Sequence, residues 1–158
     1  MKFIDNWLHA WDLLMACFAG KPKAELRLYA IVSQEALDAM TVAKRSRKPE
    51  DKSLNIGKLS AQAGHAYLHA WWDAMERFPK TARQYRYSQS AAKIALHTGT
   101  NEELEALYER FRDYSGATLV VDAGRTVFDK PTVTFVGIGP ITESSFKYHA
   151  PASLKLLR

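Results

Sequence analysis

Cysteine is nearly absent. Cys17 stands alone in 158 residues, so no disulfide can form within the chain, and a reducing compartment is the expected home. Long uninterrupted apolar runs are also missing. The most hydrophobic stretch, MKFIDNWLHAWDLLMACFAG, is broken by Asp5, Asn6, His9 and Asp12. It is therefore read as neither a signal-peptide core nor a membrane span, and no stable membrane insertion is expected. There is no internal repeat and no low-complexity tract, which sets aside solenoids and disordered tails. Acidic residues are in the minority, 17 against 22 Lys plus Arg, giving a net charge of +5. That surplus suits a polyanionic partner, either nucleic acid or an acidic surface. What remains is ordinary globular composition, 47% hydrophobic and 25% charged, in a chain the length of one domain.

The N-terminal residues still carry a pattern. Phe3, Ile4, Trp7, Leu8, Trp11, Leu14, Met15 and Phe18 fall at helical spacing, and Gly20 and Pro22 stop it. Residues 1–22 are read as an amphipathic helical extension that covers another surface. Residues 23–158 form the main domain. LRLYAIV (26–32) is a strand, apolar and ending in β-branched residues. The polar stretch 33–55 follows, read in part as an exposed loop, with a basic insertion at about 38–53. Lys44, Arg45, Arg47 and Lys48 lie in it, either as a solvated loop or as an arm for phosphates.

A helix is predicted from Gly57 to Arg77, with a core stripe of Ala61, Leu68, Trp72 and Met75 and small residues at Ala63, Gly64, Ala70 and Ala74 for close approach. AAKIALH (91–97) reads as a strand. Thr100 and Glu103 make a capping box, ahead of Leu104, Leu107, Tyr108 and Phe111 at helical spacing. ATLVV (117–121) and TVTFVGI (132–138) are further strands, and a short helix is expected over 142–148. Alternating strands and helices predict an α/β fold, a three-layer sandwich around a mixed, mostly parallel four-stranded sheet. In such folds ligands gather at the carboxyl ends of the strands.

Two clusters carry polar chemistry. Lys58, Gln62, His65 and His69 share one helical stripe. Lys58 in the first turn adds a cation to the positive end of a helix and so makes a place for an anion. The same stripe can equally be a solvated face. His65 and His69 are spaced for a metal, but no third ligand accompanies them and none is expected. The second cluster follows the strand at 117–121: Asp122, Gly124, Arg125 and Thr126. Asp122 can accept hydrogen bonds from the turn that follows, with Gly124 supplying a positive φ.

GKLSAQAGHA (57–66), then DAGRTVF (122–128) and PTVTFVGIGP (131–140), resemble the type 2 peptidyl-tRNA hydrolases, whose motifs are GK-x-A-A-Q-x-S-H-A, D-A-G-R-T and G-I-G-P. The resemblance covers about residues 26–157. It implies a mixed four-stranded sheet sandwiched by helices, often in a homodimer. It also implies cleavage of the ester between a peptide and the terminal ribose of tRNA, in the cytoplasm and with no metal or organic cofactor. Matched position by position, it places catalytic roles on Lys58, Gln62, Asp122 and Thr126. Substrate-binding roles fall on His65 and Arg125, with Gly57 and Gly124 beside them. Gly64 and Ser60 replace a Ser and an Ala of the family. The family's Arg-x-Asp-Leu after the first strand is Ser33-Gln34-Glu35-Ala36-Leu37 here. That departure leaves room for a different nucleotide-linked acyl ester, and the fold alone would also serve a non-catalytic RNA- or protein-binding module.

Overall fold

The computed structural model describes residues 25–43, 52–88, 91–125 and 127–158, together with Trp11, Leu14, Met15 and Phe18. Its elements are β1 (Leu26–Ser33), α1 (Gln34–Ala39), β2 (Thr41–Ala43), β3 (Lys52–Leu54), α2 (Ile56–Arg77) and α3 (Pro79–Arg86). They continue with β4 (Ala92–Thr98), α4 (Asn101–Phe111), β5 (Ala117–Asp122), β6 (Thr132–Thr142), α5 (Glu143–His149) and β7 (Lys155–Leu156). The α/β class is as expected. No helix of the described residues is long and apolar enough to cross a membrane.

The sheet departs from expectation. It has five strands, not four, in the order β5-β6-β1-β4-β7. It is mixed but not mostly parallel. Among the described residues only β1 and β4 pair in parallel; β1–β6, β5–β6 and β4–β7 are antiparallel. The reason is in the connections. A parallel pair needs a long crossover, and β1 reaches β4 through α1, α2 and α3. Among the described residues no helix lies between β5 and β6, and β6 turns back beside β5. β6 then separates β5 from β1. As a result β1, β4 and β5 all run the same way, and their carboxyl ends share one edge of the sheet.

Successive side chains of a strand face opposite ways, and β1 shows it. Tyr29 and Ile31 pack with Leu104, Leu107 and Phe111 of α4 and Phe146 of α5. Ala30 and Val32 pack with Ala36, Ala66, Val120 and Phe135. The capping box at Thr100 and Glu103 is formed as read. The described parts of the polar stretch 33–55 form one short helix and two short strands. Ser33 caps α1 by accepting the Ala36 N–H at 2.9 Å, and β2 and β3 pair antiparallel. The basic residues Lys44, Arg45, Arg47 and Lys48 lie outside the described residues.

Helix α2 lies on the sheet by a different stripe from the one predicted. Its buried residues are Gln62, Ala66, Ala70 and Ala74. Leu68 and Trp72, expected in the core, are 41% and 51% exposed. Close approach is the cause. A Cβ on Gly137 of β6 would sit 2.0 Å from the Ala66 carbonyl oxygen, so only small residues fit at this contact. In the N-terminal segment Trp11, Leu14, Met15 and Phe18 are helical. Trp11, Leu14 and Phe18 are exposed; the rest of residues 1–22 lies outside the described residues.

Candidate active site

Asp122 is the last residue of β5, at the shared carboxyl edge. Its side chain turns toward α2 and is 4% exposed. The start of α2 is held by Asn55, whose side-chain oxygen accepts the Lys58 N–H at 3.0 Å. This fixes the first turn beside β5. Lys58 then reaches Asp122, pairing its Nζ with Oδ2. Gln62, one turn later, donates from Nε2 to the same Oδ2 at 2.7 Å. The other oxygen, Oδ1, accepts the Gly124 N–H at 3.0 Å. Gly124 adopts φ +72, and a Cβ there would meet the Lys130 backbone at 2.5 Å, so the turn that supplies this N–H needs glycine.

Burial alone would push the Asp122 carboxyl up. The Lys58 hydrogen bond, the Gly124 amide and the Lys58 charge outweigh it, and the carboxyl is held below its usual value. Asp122 is therefore ionised at neutral pH and is a weak base.

A further residue completes the constellation. Thr134 of β6 is fully buried. Its hydroxyl lies 3.2 Å from Gln62 Oε1 and 3.1 Å from the Val120 carbonyl oxygen, and can donate to either. With Oε1 turned to a donor, the amide presents Nε2 to the carboxylate. Sequence reasoning missed Thr134, because a threonine in TVTFVGI reads as an ordinary β-branched strand residue. Strict alternation would also turn Thr134 to the face of Val136 and Ile138; the register shift between Val120 and Val121 turns it toward Gln62 instead, and nothing local in the sequence marks that shift.

Of the predicted catalytic set, Lys58, Gln62 and Asp122 are thus in direct contact, while Thr126 lies outside the described residues. Gly57 is in the exposed first turn of α2, and Arg125 is exposed just past Asp122. His65 is exposed, its ring facing His69 at 5.4 Å rather than the carboxylate. Among the described residues no group of three or more His, Cys, Asp or Glu side chains is placed to hold a metal.

Residues 27–157 match the family model described as peptidyl-tRNA hydrolase PTH2. The chain belongs to that family. Relatives include a peptidyl-tRNA hydrolase of Methanopyrus kandleri, 37% identical over 109 residues, 68% of this chain and 91% of the relative. One from Methanococcus vannielii is 33% identical over 111 residues, with the same coverage of 68% and 91%. A probable peptidyl-tRNA hydrolase 2 of Drosophila melanogaster is 32% identical over 108 residues, 68% of this chain but 57% of the fly protein. For a PTH2 member, a cation, an amide and a carboxylate meeting at the carboxyl edge of the sheet are suitable parts for hydrolysing an ester. The cation can meet a developing oxyanion, and the carboxylate can align water.

Proposed function

We propose that Lys58, Gln62 and Asp122 form the centre with which this PTH2 member hydrolyses the ester joining a peptide to the terminal ribose of tRNA. The observation that carries this reading is the buried Asp122 carboxylate held at once by Lys58 and Gln62. Water adds to the ester carbonyl carbon, and the carbonyl oxygen becomes an oxyanion. The Lys58 ammonium, reinforced by the positive end of α2, stabilises that charge. Asp122 is too weak a base to strip a full proton from water in advance. It accepts a hydrogen bond from the water and aligns it, which suffices for an activated aminoacyl ester. Collapse of the intermediate breaks the bond to the ribose oxygen, which takes one proton of the attacking water and leaves as a hydroxyl; the peptide leaves as a carboxylate, and the water's second proton passes to solvent. Thr126 and Arg125, close behind Asp122 in sequence, are assigned to the ribose hydroxyls and the adjacent phosphate.

The same reading carries its surroundings. The helices form outer layers on the two faces of the sheet. Residues 1–22 are an extension outside the hydrolase unit, supported by a family match that begins at residue 27. A homodimer and a cytoplasmic location go with the tRNA substrate.

The test is incubation of purified protein with N-blocked aminoacyl-tRNA, following release of the acyl group. Asp122→Asn keeps the shape and removes the charge. It is expected to lower kcat by at least about 10²-fold. Wild-type-like turnover by this variant would sink the assignment while leaving the family membership untouched.

A further inference from the structure

Past Lys58 and Gln62, the stripe on α2 continues as a row of rings. His65, His69 and Trp72 are spaced i, i+4, i+7. The His65 and His69 centroids are 5.4 Å apart, tilted by 48°. His69 and Trp72 are stacked, 5.2 Å apart and within 18° of parallel. The row is not core. His65 is exposed and Trp72 is 51% exposed, while Ala66, Ala70 and Ala74 take the buried side of the same helix. The proposed catalytic set makes no use of His69 or Trp72.

We propose that this ladder stacks the unpaired nucleotides next to the 3′-terminal adenosine of the substrate RNA. The inference rests on the peptidyl-tRNA reading above and adds where the RNA lies. Three observations favour bases as the occupant. The first is continuity: the ladder begins about 10 Å along the helix from Lys58, at a rise of about 1.5 Å per residue. RNA leaving the reactive centre therefore meets His65 first. The second is size. The centroid spacings of 5.4 and 5.2 Å are below the roughly 6.8 Å that a base between two rings needs at about 3.4 Å per stacking step, so the row takes a base or two on its outer ring faces and none between its rings. The third is chemistry. The N–H and C=O groups of a helix interior are spent within the helix. This flank therefore offers a passing peptide no backbone partners, whereas flat rings suit any base and ignore its identity. An enzyme meeting many different peptides on one constant RNA end gains from that. The ladder also has a stop. Glu76, one turn beyond Trp72, is exposed on the same stripe, and its carboxylate repels a phosphate backbone that continued along the helix.

The test compares two substrates, N-blocked aminoacyl-tRNA and N-blocked aminoacyl-adenosine, which ends before the ladder. For each protein the ratio of kcat/KM between them is measured. In His69→Ala/Trp72→Ala that ratio is expected to fall by about 10-fold or more, as for losing stacking of a base or two, with KM for the tRNA carrying the change. Trp72→Phe, which keeps a ring, is expected to retain most of it. A trinucleotide CCA titration, read without turnover, is expected to give weaker binding for the double variant. Equal ratios and equal trinucleotide affinities would overturn the proposal. So would a parallel loss on both substrates, which would put the peptide on this flank. A change confined to the size-exclusion volume would also overturn it, by making the stripe a contact between two copies. If the wild type cleaves neither substrate, the hydrolase reading fails instead, and the trinucleotide titration still decides the ladder.

Discussion

At one end of α2, Asp73 pairs with Arg77; at the other, Lys58 pairs with Asp122. Arg77 is the last residue of the helix, where a cation complements the dipole. It grips Asp73 with two nitrogens and donates to the carbonyl oxygens of Arg112 and Ser115. Asp73 in turn accepts the Ala117 N–H at 2.8 Å. The pair ties α2 to the end of α4 and the start of β5, and both side chains keep contact with water, 36% and 28% exposed. The Lys58–Asp122 pair is deeper, 20% and 4% exposed. Its cation stands at the end of the helix that disfavours it, and it binds through a point charge rather than a planar fork. One pair relieves the backbone groups around it; the other is imposed by the fold and lies in the proposed reacting centre.

Neutralising each pair should separate the two kinds. Lys58→Met with Asp122→Asn is expected to reduce turnover by at least about 10²-fold. Its melting temperature should stay level or rise, because replacing a buried ion pair by neutral groups is often harmless to stability. A large drop in melting temperature would show that this pair, too, is mainly structural.

Arg77→Met with Asp73→Asn is expected to do the reverse. It leaves the Ala117 N–H and two carbonyls with poorer partners, at about 1–3 kcal/mol, or roughly 2–4 °C in melting temperature for each kcal/mol. Turnover per folded molecule should change by less than about threefold, since no part of the proposed site is touched. The loss should depend on pH. For Asp73, burial works against ionisation, but the Arg77 hydrogen bond, the Ala117 amide and the Arg77 charge hold the carboxyl below its ordinary 3.8. Such a group contributes stability above its unfolded value and loses it as pH falls through its folded value. Urea midpoints of wild type and variant should therefore be well separated at neutral pH and converge as pH drops below about 3.8. A gap that stayed constant to lower pH would assign the effect to packing instead.

The smallest effect belongs to Thr134→Val, which removes the hydroxyl behind Gln62 and keeps the volume. A loss of roughly threefold to tenfold in kcat with KM unchanged is expected, on the scale of one hydrogen bond of about 1 kcal/mol. Equal losses in stability and none in kcat would make Thr134 a packing residue.

Much of this was legible in the sequence because it is local. Asn55 to Gln62 fixes where α2 starts and which side chains share a stripe, and Asp122 with Gly124 declares a turn at a strand end. The capping box at Thr100 and Glu103 needs only four residues. What could not be read depends on partners distant in the chain. Whether β6 lies between β5 and β1 is decided by pairing, and β7 is two residues long, too short to leave a pattern. The burial of α2 was misjudged for a physical reason. Hydrophobicity ranks Leu68 and Trp72 above alanine, yet a helix lying on glycines is buried through Ala66, Ala70 and Ala74. Misreading that face also hid the aromatic row along its flank.

Gly137 belongs to β6, beyond the proposed reacting groups. Yet Ala66, whose carbonyl oxygen fills the space a Cβ would need, stands one turn from Gln62 and two from Lys58. Asp122 rides on β5, hydrogen-bonded to the same β6. Acid and cation are thus mounted on two rails, and the spacer between the rails is a single hydrogen atom. A methyl group there would lift one rail by about 1 Å, roughly the misplacement that can cost two orders of magnitude in rate. The centre can be put out of adjustment from within the wall behind it, by a wedge that never meets substrate, water or proton.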